Sequence, residues 1–227
     1  MQIFDIPINS KRMETTRIGT FDFPLAVHEN DLKKNVLGFV NWHWHYEFQL
    51  TYVVRGTISV FFNQQTIDLH EGQGIYINPE VLHMIRDRYD SDAMFISLDV
   101  SPKLLTSFPN SVFERSYVKP VFCSSAADAV ILDPGVFWQK KILDEAMSIE
   151  QDYKSRSFGW ELAVSSSLYA IWKELVCHLY ESLTEHDAPA ADGARMRRNQ
   201  RIKEILSYIR EHFTEKITLD EIAKHLH

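Results

Sequence analysis

Trp42-His43-Trp44-His45-Tyr46-Glu47-Phe48-Gln49-Leu50 is the stretch on which the fold of this chain turns. Read with a period of two, it places His43, His45, Glu47 and Gln49 on one face and Trp42, Trp44, Tyr46, Phe48 and Leu50 on the other. Successive side chains of a strand point to opposite sides of a sheet. The aromatic row therefore predicts packing on one side, and the polar row predicts an enclosed space on the other. Buried polar groups must find partners. Here those partners are each other, water, a metal or a ligand.

Outward from this stretch, short apolar runs recur at 21–28, 36–42, 44–55, 57–62, 66–70, 74–78, 82–86 and 93–100. Gly56, Asn63-Gln64, Glu71-Gly72 and Asn78-Pro79 punctuate them. Many short strands with regular turns predict a sandwich or barrel rather than a parallel sheet. Asn63-Gln64 stands where a tight hairpin would prefer Asn-Gly. Ahead of the strands, residues 1–20 show no period and read as an arm. Beyond them, Ser101-Pro102 predicts a capped short helix ending near Phe108, and further strands are expected at 117–122 and 129–132.

Asp133-Pro134 predicts the cap of a longer helix carrying Trp138, Ile142, Ala146, Ile149 and Tyr153 at helical spacing. After residues 155–159 a second helix carries Leu168, Ile171, Trp172, Leu175 and Leu179. Two amphipathic helices with so short a link should pair antiparallel. Residues 184–193 are a linker by composition, followed by Arg195, Arg197, Arg198 and Arg201. A helix with Ile202, Ile205, Leu206 and Ile209 comes next, with Phe213 just beyond. Thr218-Leu-Asp-Glu221 is a capping box opening a last helix, with Leu219, Ile222, Ala223 and Leu226 expected to face inward.

The chain has 227 residues, 45% of them apolar, and a formal net charge of −7. No apolar run of membrane-spanning length and no secretion signal stand out. Cys123 and Cys177 fit no ligand spacing and read as reduced thiols, so the expected location is cytoplasmic. The charge is uneven: residues 195–227 carry eight Lys/Arg and five Asp/Glu, a balance of +3, against −10 for residues 1–194. An acidic whole argues against nucleic-acid binding by the entire chain, and the sign change marks a boundary near residue 190.

The middle of the chain resembles the cupin superfamily through His43-x-His45, Gln49, Gly56, Gly72-x-Gly74, Pro79 and His83. In metal cupins the corresponding positions supply three histidines and a glutamate. Here Gln49 stands at the glutamate position, and an amide is a poorer metal ligand than a carboxylate. The last thirty residues, from Ile205 to Phe213 and from Glu215 to Leu226, resemble the start of the DNA-binding domain of AraC/XylS-type transcription regulators. Asn41 to His45 with Tyr52-Val-Val-Arg-Gly56 is similar to that family's sensor version of the cupin.

The resemblance implies a cupin-like double-stranded β-helix barrel, then an α-helical hairpin, then an incomplete helix-turn-helix segment. The expected domains are an arm at 1–20, an effector-binding barrel at 21–132 and a dimerisation segment at 133–183. A linker at 184–198 and the start of a DNA-binding domain at 199–227 would follow. It further implies a ligand-responsive regulator, a homodimer whose effector, in some relatives a sugar, contacts His43, His45, Glu47, Gln49 and His83. Glu47 is alternatively a partner for Arg55 or a histidine. No cofactor is expected, and a metal, if held, would use His43, His45 and His83. No complete DNA-reading element is expected within these 227 residues, so DNA would be a partner of a longer form only. The alternative is a metal-dependent cupin enzyme, a dioxygenase or isomerase.

Overall fold

A computed structural model describes residues 6–185 and, further on, residues 201, 204, 205, 208, 209, 212 and 217–225. Nine strands form two antiparallel sheets. They are β1 (Leu25–Asp31), β2 (Phe39–His43), β3 (Phe48–Arg55), β4 (Thr57–Phe62), β5 (Gln65–His70), β6 (Gly74–Ile77), β7 (His83–Asp87), β8 (Met94–Val100) and β9 (Ala129–Leu132). One sheet has the order β1-β8-β3-β6-β9 and the other β2-β7-β4-β5. This is a cupin-like pair of antiparallel sheets followed by helices.

The larger sheet is buried on both faces, and strand parity assigns each. Phe48, Leu50 and Tyr52 of β3, with Ile96, Leu98 and Val100 of β8, pack in one core with the helices. Val53, Ile75, Ile77 and Phe95 meet Val40, Ile58, Val60, Phe62, Leu69 and Ile85 of the smaller sheet in a second core. Along the inward rows of β3 and β8 the residue type changes, from Val53 to Thr51 and Gln49 and from Phe95 to Ser97 and Asp99. One end of the space between the sheets is apolar, and the other is polar.

Gly74 enables the close approach of the larger sheet to the helices. A Cβ there would sit 2.5 Å from the Thr51 carbonyl oxygen and 2.8 Å from Leu143 Cδ2. The β4–β5 hairpin closes in two residues although it lacks glycine: Asn63 and Gln64 both take positive φ, 45° and 64°, as the favoured two-residue turn demands.

The helices are α1 (Lys103–Thr106), a π-helical turn (Phe113–Val118), α2 (Lys119–Cys123), a 3₁₀ turn (Ser125–Ala127), α3 (Phe137–Ser155) and α4 (Trp160–Glu185). All ten residues of the two expected stripes fall in or against the core, Trp138, Tyr153 and Leu179 only partly buried. α3 and α4 run antiparallel. Trp138 stacks on His178 at 4.6 Å and Lys141 pairs with Glu174 at 3.3 Å, while at the other end Tyr153 meets Trp160 at 5.7 Å.

Several expectations need correction. β3 does not run from residue 44, because strand structure is interrupted between His45 and Phe48, and Tyr46 is 57% exposed. β1 begins after Pro24 and includes Glu29-Asn30-Asp31, expected to end it, because Asn30 and Asp31 are buried and pair with Phe95 and Met94. The expected strand at 117–122 is helical; Pro120, with no N–H to give a ladder, suits a helix's first turn. Asp133 does not cap α3: its carboxylate accepts from Gly135 N, and the helix starts three residues later.

α4 runs to Glu185, into the start of the expected linker, and the rest of that linker lies outside the described residues, as do Ile202, Leu206, Phe213 and Leu226. Among the described residues the capping box forms, Glu221 N donating to Thr218 Oγ1 and Thr218 N to Glu221 Oε2. It opens a helix at Leu219–His225. Leu219, expected inward, is 84% exposed. Ala223 is also exposed and Ile222 half-buried, for no described element packs over this short stripe.

Candidate functional site

The polar end of the inter-sheet space holds His43, His45, Gln49 and His83, all buried. His43 ends β2 and pairs with His83 of β7. A register shift between Val40 and His43 lets both point inward although they lie three positions apart, the effect expected of a bulge. Gln49 and Thr51 come from β3 and Ser97 from β8, neighbours in the same sheet.

Each histidine is held the same way. Nδ1 of His43 faces the Asn41 carbonyl at 2.8 Å, that of His45 the Glu47 carbonyl at 2.9 Å, and that of His83 the Val81 carbonyl at 2.9 Å. A carbonyl only accepts, so each Nδ1 carries the proton and each Nε2 presents a lone pair. The imidazoles converge, with His43 and His83 centroids 4.2 Å apart. One ligand atom from each of the three falls within 4.8 Å of the others.

Gln49 stands at their centre. Its Oε1 lies 3.1 Å from His45 Nε2 and 2.9 Å from His83 Nε2, and its amide nitrogen lies 2.7 Å from Thr51 Oγ1 and 3.1 Å from Ser97 Oγ. With both Nδ1 atoms protonated, those Nε2–Oε1 contacts set acceptor against acceptor. Protonation of His45, which Asp99 and Glu14 favour, lets its Nε2 donate to Oε1 and removes one of the two conflicts; two further arrangements remove both. The amide can be turned, so that its NH₂ donates to both imidazoles and its oxygen accepts from the two hydroxyls. Alternatively, a divalent cation can sit among the lone pairs, the backbone carbonyls orienting each ring. The donor set fits such an ion in kind, three imidazole nitrogens and an amide oxygen. It carries no carboxylate to offset the ion's charge.

Burial and the neighbouring histidines hold His43 well below the usual imidazole range. Burial, then His45, takes His83 to about 3. For His45 burial opposes the charge, but Asp99, Glu14, Gln49 and Glu47 together raise it.

Glu47 does not join the cluster. Its backbone oxygen serves His45, but its carboxylate, 19% exposed, approaches only to 4.0 Å of His45 Nδ1. The break in the strand carries it off the face that parity predicted. Nor does it pair with Arg55, whose guanidinium bonds the Asp92 carbonyl at 2.9 Å.

A small cavity adjoins the cluster; the empty space of about 310 Å³ between its walls includes open solvent. His43 and Gln49 line it, with Glu14, His28, Asn30, Ser97 and Asp99 as further polar groups. His45 and His83 do not line it and reach it through Gln49. Ser97 and Asp99 were legible as alternate positions of β8 and His28 as a position of β1, whereas Asn30 was not, since the polar run that holds it was expected to end that strand. Glu14 had no signal, since it lies in the arm.

The arm covers this end. Trp44 Nε1 donates to the Lys11 carbonyl at 2.7 Å, Trp44 N to Arg12 O at 3.0 Å, and Glu14 N to Trp44 O at 2.9 Å. Ile6 is buried in the inter-sheet core. Glu14 is thereby carried inside, where burial and then Asp99 raise its carboxyl above the ordinary range.

Three comparisons with known proteins bear on this site. The family model of the AraC-like ligand-binding domain matches residues 35–135, which span the histidine cluster. The uncharacterized HTH-type transcriptional regulator YdeC of Bacillus subtilis is 32% identical over 224 residues, covering 99% of this chain and 73% of that protein. Among solved structures, a cupin protein from Bacteroides fragilis is 18% identical, covering 34% of this chain and 64% of that one with a TM-score of 0.29. A cupin-2 domain protein from Shewanella frigidimarina is 20% identical over 35% of this chain and 72% of its own, with a TM-score of 0.27.

Proposed function

The chain belongs to the HTH-type transcriptional regulators that carry an AraC-like ligand-binding domain, and on that premise we propose that it is their sensing and dimerising portion. A small polar effector binds in the cavity between the sheets, against His43 and Gln49, with His45 and His83 fixing the Gln49 amide. The observation that carries this reading is the cavity itself: buried polar groups gathered around a solvent-connected space at one end of a sandwich whose remaining interior is apolar. The polar groups on its walls suit a small polar ligand. Mixed polar and aromatic walls suit hydroxyls and C–H faces.

The effector acts by differential binding. It stabilises whichever placement of the arm and helices gives the better cavity. The arm closes the cavity at Trp44, and α3 and α4 lie on the opposite face of the same larger sheet. Two polar contacts join that sheet to α3: Tyr52 OH donates to the Glu150 carboxylate, and Lys154 pairs with Glu29 of β1 at 3.5 Å. Dimerisation uses the helical hairpin, supported by exposed Phe158, Leu162 and Tyr180 on and beside α4 and Phe137 and Met147 on α3. Light scattering at micromolar concentration checks this, a dimer mass being expected and a monomer mass contradicting it.

Specific DNA binding belongs to a longer form. A helix-turn-helix reads the major groove with its second helix, and the resemblance places only the first part of that motif before residue 227. Gel-shift assays test this: the 227-residue chain should give no specific retardation, and an extended form carrying the whole motif should give retardation that effector alters. Specific retardation by the 227 residues alone would overturn the assignment.

The metal-dependent enzyme remains the second reading, favoured by the convergence of three imidazole nitrogens. His43, His45 and His83, with Gln49, would hold a divalent ion, which when bound would supply Lewis-acid polarisation of an oxygen ligand. Metal analysis of protein purified without an affinity-column metal separates the two. A full equivalent of ion together with turnover would favour the enzyme.

A further inference from the structure

The cavity wall carries two carboxyl groups, and its donors are the neutral side chains of Asn30, Gln49 and Ser97 beside His28. Glu14 from the arm and Asp99 from β8 both line it, with side chains 6% and 7% exposed. Asp99 Oδ1 is buried and has no hydrogen-bond partner. Its other oxygen lies 3.3 Å from His28 Nε2, but that nitrogen also makes no hydrogen bond. His43 adds a third acceptor. Its Nδ1 is engaged by the Asn41 carbonyl, so its Nε2, 3.9 Å from Glu14 Oε2, presents a lone pair. No lysine or arginine lines the cavity. The apolar part of the wall is Ile6, Val40, Ile85 and Phe95.

A buried carboxylate oxygen without a donor is destabilising, and two carboxyl groups on one enclosed wall add mutual repulsion. Hydrophobic collapse gains nothing from placing them there. A ligand that brings positive charge and several N–H donors satisfies both groups at once. An anionic ligand would meet like charge, and a neutral polyol would add nothing to the offset that His45 gives the two carboxylates. We propose that the ligand of this cavity carries an ammonium or guanidinium group bound by Glu14 and Asp99, on a small body that packs against Phe95 and Ile85. This inference rests on the reading of the cavity as the effector site and adds its charge class.

Two matched trios of probes test it by thermal shift of the 227-residue protein: glucosamine, glucose and glucuronate on one ring, and putrescine, butanediol and succinate on one four-carbon chain. Within at least one trio the amine should bind at least about tenfold more tightly than its neutral counterpart. The preference should vanish in Glu14→Gln and in Asp99→Asn. Without any ligand, Glu14→Gln should melt above the parent because it removes an uncompensated charge. If that variant fails to fold, Asp99→Asn takes its place. Ser97→Leu, which fills the cavity, should abolish every shift. Stabilisation by a neutral or acidic member equal to that by the amine, and lost in Ser97→Leu, would overturn the charge class while leaving the effector site in place. No shift from either amine, or a melting point lowered by Glu14→Gln, would overturn the proposal. Shifts that survive Ser97→Leu would instead remove the effector reading.

Discussion

At Gln49 an amide stands where a carboxylate would differ by one heavy atom and one charge. The three imidazoles around it are already oriented, each Nδ1 on a backbone carbonyl, so the charge of this single residue sets how firmly a cation is held. Gln49→Glu should raise affinity for zinc or manganese by about 10–100-fold, the scale on which partners of a metal site count. Equilibrium dialysis measures this, and unchanged uptake would show that the imidazoles are not free to coordinate.

The same burial makes stability depend on pH. His83 is held at about 3 and His43 well below 6.5, so between those values the unfolded chain binds protons that the native rings refuse. Their contribution is complete above pH 6.5 and is lost as pH falls toward 3. His45 and Glu14, both raised, act in the opposite sense and blunt the effect. With chelator present, the melting temperature should fall as pH is lowered from 6.5 to 4, and His83→Gln should fall less over that interval. Equal slopes would place the titration elsewhere. Parity alone made His43 and Gln49 legible in the sequence. It misplaced Glu47, because period two holds only while the strand continues, and no local pattern signals the break at residues 45–47.

β3 joins the two halves of the molecule. Its inward row reaches the cavity through Gln49, which Thr51 braces, while its outward row meets α4 through Phe48. Phe48, Tyr76, Phe122 and Trp172 form one aromatic cluster there, with Trp172 5.4 Å from both Phe48 and Phe122. Trp172 Nε1 also donates to the Tyr117 carbonyl at 3.1 Å. Trp172→Ala should therefore cost about 3–5 kcal/mol in urea denaturation. Leu162→Ala, 78% exposed on the same helix, should change monomer stability by no more than about 0.5 kcal/mol. Similar losses at both positions would mean that the helix packs in another orientation.

The helical stripes were readable because 3.6-residue spacing persisted over about three to four turns. The segment 113–123 was not, since a short apolar run bears no period long enough to tell strand from helix. The helix start at Asp133-Pro134 was three residues early, because that carboxylate satisfies a local turn instead.

For the whole molecule, effector sensing requires that one ligand touch parts that can move separately. The arm closes the cavity through backbone bonds at Trp44 and carries Glu14 within it, and the helical hairpin lies on the far side of the sheet that lines it. The order of a strand-rich half and then a helical hairpin was legible from the change of period along the chain. The arm's part was not, for its contacts depend on Trp44, thirty residues away and already assigned to a strand. No helix among the described residues is long and apolar enough to cross a membrane.

The measurement that bears most directly on the cavity is thermal denaturation of the 227-residue protein against a panel of small polar metabolites, beside the same panel on folded Ser97→Leu. Saturation at 100 times Kd should add about 2.7 kcal/mol of stability. The account predicts at least one compound that raises the melting temperature of the parent and leaves Ser97→Leu unmoved. Stabilising compounds that act equally on both would place the effector outside the inter-sheet cavity and contradict it.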